Sequence, residues 1–183
     1  AGCIFIACRR NKFPRTFREI YAMTHVSKKE IGRTFKLLEQ MLAGQEKNNA
    51  GKAKVMGNGV VGMQEGYRST VSTNPEDVCG RYCTQLGLDF KTTEVAKDIA
   101  AGMVRIGALA GRSPLSAAAA CIYMASLLQN NIRSPKAIAE IAGVSDSTIR
   151  NAYKDLYNDK DILITPKSIE RGADVSKLVK PTT

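Results

Sequence analysis

The feature that most constrains this chain is a repeat within it. Residues 1–38 align without a gap to residues 119–156, and eleven of the pairs are identical: Ala1/Ala119, Cys3/Cys121, Ile4/Ile122, Ala7/Ala125, Arg15/Arg133, Ile20/Ile138, Val26/Val144, Ser27/Ser145, Ile31/Ile149, Lys36/Lys154 and Leu38/Leu156. Phe5/Tyr123 and Phe35/Tyr153 add conservative aromatic pairs. Two copies of one pattern imply two copies of one supersecondary unit. The second copy follows a stretch of helical pattern that begins near residue 75, whereas nothing precedes the first. The expectation is one incomplete and one complete copy of the same module.

Helix punctuation identifies that module as all-α. Ser27-Lys28-Lys29-Glu30 has the spacing of a capping box, and Asn74-Pro75-Glu76-Asp77 sets a cap, a first-turn proline and two acids in order. Ser113-Pro114 and Ser134-Pro135 repeat the cap-then-proline signal. Apolar residues recur at helical spacing in Ile31, Phe35, Leu38 and Leu42, and again in Val95, Ile99, Met103, Ile106 and Leu109. Leu115 to Leu128 is apolar nearly all round, as a helix at the centre of a bundle must be. The periodicity predicts helices near 1–10, 16–24 and 28–43, then near 75–86, 92–110, 114–129, 135–142 and 146–158, with one short turn after Pro166. The implied domains are a partial repeat at 1–43, a flexible Gly-, Asn-, Lys- and Ser-rich linker at 44–74, a complete repeat at 75–165 and a tail at 166–183.

Residues 134–158 fit a helix-turn-helix. The motif needs a small residue where the helices cross, here Ala139, and a residue that tolerates positive φ at the turn, here Gly143. Ile138, Ala142, Val144, Ile149 and Ala152 supply apolar posts, which leaves Ser147, Arg150, Asn151 and Lys154 on the open face of the second helix. Such a set suits a recognition helix, in which Arg reads guanine edges or phosphate and Lys holds phosphate. A solvated polar face on an ordinary helix pair would have the same composition. In the first copy the turn position is His25 and the crossing position Tyr21, a poorer fit to groove insertion.

The formal charge of +10 is uneven, since residues 1–74 hold 13 Lys and Arg against 5 Asp and Glu. Such an excess points to an acidic partner, nucleic acid or protein. Arg9 and Arg10 end the first apolar segment, and Lys28, Lys29, Arg33 and Lys36 follow on the third. The five cysteines lack zinc spacing and are expected to be buried free thiols, and no metal site or cofactor is expected. Residues 1–8 are too short to span a bilayer. With one histidine, no phosphate loop and no suggestive carboxylate or nucleophile pairs, the sequence offers no support for catalysis.

Particular strings then resemble a known family. Ala7-Cys8-Arg9, Pro14 to Ile20 and Ser27 to Arg33 with Phe35-Lys36-Leu37 are similar to the first cyclin-like repeat of the general transcription initiation factor IIB family. Arg81-Tyr82-Cys83, Leu86-Gly87-Leu88, Gly111 to Pro114, Ala142-Gly143-Val144 and Thr148-Ile149-Arg150 with Tyr153 resemble the second. The resemblance covers nearly the whole chain apart from the linker and tail. It implies cyclin-like five-helix repeats, the first lacking its N-terminal two helices, and a nuclear protein that bridges TATA-binding protein on promoter DNA to RNA polymerase II.

The same resemblance implies roles for residues. Arg150 matches a base-contacting arginine upstream of the TATA box, Asn151 and Lys154 match neighbours on the DNA face, and Arg112 lies in a loop expected near phosphate. Ser147 stands where animal members carry a valine, which weakens the expected upstream sequence preference. Arg9 matches a position facing the acidic stirrup of TATA-binding protein. Lys28, Lys29 and Arg33 match a helix used for other initiation factors and activators. An exposed half-repeat can also pair with a second copy of itself. Rival expectations are a cyclin-like regulatory subunit of a protein kinase, and the related RNA polymerase III or archaeal initiation factor.

Overall fold

The computed structural model describes residues 1–11, 13, 15–50 and 74–181, with side chains outside 43–50. The chain forms two compact units, Ala1–Thr73 and Asn74–Thr183. Among the described residues there are helices and no strands.

The first unit contains α1 (Gly2–Arg10), α2 (Phe17–Thr24) and α3 (Lys28–Ala50). Thr16 starts α2 with a full capping box, in which its side chain accepts from the Glu19 N–H and the Glu19 carboxylate accepts from the Thr16 N–H at 2.7 Å. The sequence reading missed this box and placed one at Ser27, which forms only half: Ser27 accepts from the Glu30 N–H at 3.2 Å. The unit closes on Phe5, Ile20 and Ile31, with Phe17, Val26 and Phe35 packed around them. The helix from residue 28 runs on to Ala50, so the first residues of the expected linker, 44–50, are helical. Gln45, Glu46 and Lys47 are good helix formers that can continue a helix without an apolar period. The remainder of the expected linker, 51–73, lies outside the described residues.

The second unit is built on α4 (Pro75–Gln85), α5 (Phe90–Ile106), α6 (Pro114–Leu128), α7 (Pro135–Ala142) and α8 (Asp146–Asn158). The α6 helix packs against α4, α5, α7 and α8 at once. Its run of alanines explains how: without long side chains, four neighbours can approach one helix. Ala118, Ala119, Ala120, Cys121, Ile122, Met124 and Ala125 are all 0% exposed. Each large side chain fully buried in this way contributes about 1.5–3 kcal/mol. Two short helices, α9 (Lys160–Leu163) and α10 (Pro166–Glu170), and a 3-10 turn at Val175–Lys177 follow. Of these the sequence indicated only the turn after Pro166.

The tail is fastened to the unit. Arg171 pairs with Glu94 and Asp98 of α5, the Asp174 N–H donates to the Leu128 carbonyl at 2.9 Å, and the Tyr153 hydroxyl donates to the Val179 carbonyl at 2.7 Å. Arg133, which follows the same C-terminal end of α6, fastens it by donating to the Leu86 and Gly87 carbonyls at the end of α4.

Three cysteines, Cys79, Cys83 and Cys121, are buried as expected, but Cys3 is exposed and Cys8 half-buried. The segment 1–8 is likewise not buried throughout, since Ile4 is 43% exposed. The equivalents Cys121 and Ile122 belong to α6, which packs against α4 and α5, helices that have no counterpart among the described residues of the first unit.

Candidate nucleic-acid interface

The sequence of α7 and α8 sets their crossing through three local devices. Ser134 caps α7 by accepting from the Ala137 N–H, and Pro135 occupies its first turn. Gly143 then ends α7 in the left-handed region at φ 68°, its N–H donating to the Ala139 carbonyl at 2.8 Å. Two residues later Ser145 caps α8, accepting from the Thr148 N–H at 3.1 Å. The chain therefore turns within a few residues, as a helix-turn-helix requires.

One face of α8 is core. Ile149, Ala152 and Leu156 are 0% exposed and Tyr153 is nearly so, its ring edge-on to Tyr123 at 5.0 Å. The opposite stripe, Ser147, Arg150, Asn151 and Lys154, is exposed along its length. These four follow the i, i+3, i+4, i+7 spacing of a single helix face. The structure thus brings the four together as the sequence reading expects. Ser147 is tied into the capping cluster, its hydroxyl 2.9 Å from that of Ser145. Arg150 lies 3.7 Å from Asp146, one turn earlier on the same helix.

Arg112 joins this helix from the loop between α5 and α6. Gly111 turns that loop at φ 85°, and the Arg112 Nη2 reaches Asp155 of α8 at 2.6 Å. It therefore meets α8 at Asp155, the residue that follows Lys154. Asp155 and Asp146 were not singled out from sequence. The Asp146–Arg150 spacing of four was legible as a helical ion pair, whereas a pair 43 residues apart leaves no local signal.

In the first unit, Arg9 lies over two aromatic rings, 4.9 Å from the Phe5 centroid and 5.2 Å from that of Phe35. Ring faces are negative, so they hold a guanidinium without neutralising its formal charge. Lys28, Lys29 and Arg33 occupy exposed positions near the start of α3. The repeat offset places Lys29, Gly32, Arg33 and Lys36 at the positions of Ser147, Arg150, Asn151 and Lys154. Gly32 has open space where Arg150 carries its side chain, so the first copy has the charge of such a face without an arginine at that position.

Among the described residues no cluster of His, Cys, Asp or Glu is arranged to hold a metal ion, and no helix is long and apolar enough to cross a membrane. Burial pushes the Cys83 thiol up to about 11 and the Cys121 thiol to about 12, and raises Cys79 as well. Such thiols pack as apolar groups and are inert as nucleophiles.

Comparison with known proteins accords with this geometry. The family model described as the transcription factor TFIIB repeat matches residues 1–41 and 68–159. Transcription initiation factor IIB of Schizosaccharomyces pombe is 44% identical over 174 residues, covering 94% of this chain and 49% of the relative. That of Dictyostelium discoideum is 39% identical over 168 residues, covering 92% and 45%. Transcription initiation factor IIB 1 of Thermoplasma volcanium is 36% identical over 156 residues, covering 85% and 42%. The chain thus spans about half the length of these relatives or less. With both the repeated helices and the matched residues in agreement, the chain belongs to the family of transcription factors built from TFIIB repeats, whose fold is cyclin-like.

Proposed function

We propose that the chain is the promoter-binding core of a general transcription initiation factor, which acts by bridging and performs no chemistry of its own. Residues 75–165 form the complete repeat and residues 1–43 the last three helices of another, with α3 extended to Ala50. The observation that carries the reading is the exposed stripe Ser147, Arg150, Asn151 and Lys154 on α8, flanked by Arg112. Arg150 and Asn151 have the chemistry to read base edges in a major groove, and Lys154 and Arg112 to hold phosphate. The partners are TATA-binding protein and the promoter DNA it occupies, with RNA polymerase II, other initiation factors and activators recruited in turn. Arg9 is assigned to TATA-binding protein, and Lys28, Lys29 and Arg33 to protein partners with acidic surfaces. A nuclear location follows for a polymerase II factor.

A regulatory subunit of a kinase would have no work for a stripe of base-reading side chains. The deciding experiment measures binding of the chain to a complex of TATA-binding protein with a TATA-containing duplex, across a salt series and beside Arg150→Ala. A ternary complex that weakens steeply with salt, and by about 1–3 kcal/mol on Arg150→Ala, supports the reading. Indifference to both the duplex and Arg150 would overturn it.

A further inference from the structure

Two of the groups assigned to DNA are arginines, and each is paired with a carboxylate of α8 itself. Asp146 lies beside Arg150, and Asp155 binds Arg112. A carboxylate on a helix turned toward phosphate is unfavourable by charge alone, so Asp155 calls for a reason to be there. Stability does not supply one. The two side chains are 34% and 44% exposed, and pairs in that setting contribute little.

The geometry supplies another reason. The contact runs from the Arg112 Nη2 to a single carboxylate oxygen of Asp155, and the Nε and Nη1 groups of Arg112 carry no hydrogen bond among the described residues. A guanidinium has five N–H donors in a planar fork, so one edge can be held by protein while the remainder engages a phosphate. The backbone on both sides is also fixed. The Arg112 N–H donates to the Leu109 carbonyl at 3.1 Å, Ser113 caps the following helix, and Asp155 lies one residue before the fully buried Leu156. Only the long side chain of Arg112 is left to be ordered. Ordering it before DNA arrives lowers the entropy cost of forming the contact.

We propose that Asp155 is a positioning residue for DNA binding, which holds the Arg112 guanidinium against α8 so that its free donors take a backbone phosphate beside Lys154. The role rests on the DNA-binding reading of α8 and deepens it. It also gives Arg112 the same phosphate-holding work as Lys154, separate from that of the base-reading pair Arg150 and Asn151.

The test measures affinity of the full chain for the complex of TATA-binding protein and TATA duplex across a salt series, for the wild type, Arg112→Gln, Asp155→Asn, Asp155→Glu and the Arg112→Gln/Asp155→Asn double variant. Positioning predicts that Asp155→Asn weakens binding severalfold although it removes a negative charge. It also predicts that the slope of log affinity against log salt falls by about 0.9, the value for one lost phosphate contact, in Asp155→Asn and Arg112→Gln alike. The double variant should be no weaker than Arg112→Gln, and Asp155→Glu should recover most of the loss. Thermal unfolding unchanged between wild type and Asp155→Asn separates this from a structural role. Tighter or unchanged binding by Asp155→Asn would overturn the proposal, as would losses that simply add in the double variant. If Arg150→Ala leaves affinity untouched in the same assay, the DNA-binding reading itself fails. If Arg150→Ala weakens binding and Asp155→Asn does not, the positioning role alone fails.

Discussion

His25 and Gly143 occupy the same turn of the two copies, and both lie in the left-handed region, at φ 54° and 68°. One backbone has been kept while the residue that suits it best stands in only one copy. A side chain in this region costs about 1–2 kcal/mol, which glycine avoids. Gly143→Ala should therefore destabilise the second unit by about that amount, and His25→Gly should stabilise the first by about 1 kcal/mol. Hydrogen exchange of the α2–α3 and α7–α8 amides would report each effect where it arises.

Ile4 and Ile122 are identical residues at equivalent positions, 43% and 0% exposed. Ile122→Ala should cost about 2–5 kcal/mol, through lost burial and the cavity left behind. Ile4→Ala should cost less than about 1 kcal/mol. Urea unfolding of the two variants provides the comparison, and equal losses would mean that Ile4 is covered in solution.

The buried thiols set an alkaline limit. Their folded values are raised above the ordinary 9.0, to about 11 for Cys83 and about 12 for Cys121, by burial. The unfolded chain then loses protons first, so the thiols' contribution is complete below pH 9 and is lost as the pH rises through 11 and 12. Melting temperature should fall across that window, and Cys121→Ala should flatten the fall. At neutral pH an alkylating agent should modify Cys3 in the native protein and reach Cys79, Cys83 and Cys121 only on unfolding.

On the acid side, Asp89 is held below the ordinary carboxylate value of 3.8, chiefly by the Thr92 hydroxyl and also by the Thr92 N–H and the Asn131 amide. Its contribution is present above pH 3.8 and disappears as the pH falls through the lower folded value. Asp89 caps α5 by accepting from the Thr92 N–H, so Asp89→Ala should cost about 1 kcal/mol near neutral pH, the usual loss for a helix cap, and progressively less in acid. Stability curves for the two proteins should converge below the folded value.

The Tyr153 hydroxyl ties the Val179 carbonyl to α8. Tyr153→Phe should leave the ring packing intact, cost about 1 kcal/mol and speed hydrogen exchange in residues 175–181.

How much of this was legible follows from the range of each signal. Caps and turns act over four residues, so Asn74, Ser113, Ser134 and Gly143 announced α4, α6, α7 and the turn before α8 correctly. The stripe on α8 was legible because one helical period places Ser147, Arg150, Asn151 and Lys154 together. The Arg112–Asp155 pair was not, because nothing local marks two residues that meet only after α6 and α8 have packed. The exposure of Cys3 and Ile4 escaped for a related reason: apolar composition shows what a helix can bury, whereas its neighbours determine what it does bury. The extension of α3 to Ala50 was missed because helix propensity can carry a helix on without any apolar rhythm.

The alanine-lined α6 has an evolutionary consequence. In most cores, trimming a side chain is the damaging change. Here Ala118, Ala119, Ala120 and Ala125 have almost nothing to trim, and a single added methylene would push against helices on several sides. The substitutions tolerated at these four positions should be drawn from serine, cysteine and glycine. Relatives diverging freely over the stripe on α8 would still share that restricted alphabet on α6, because steric exclusion filters it independently of what the protein binds.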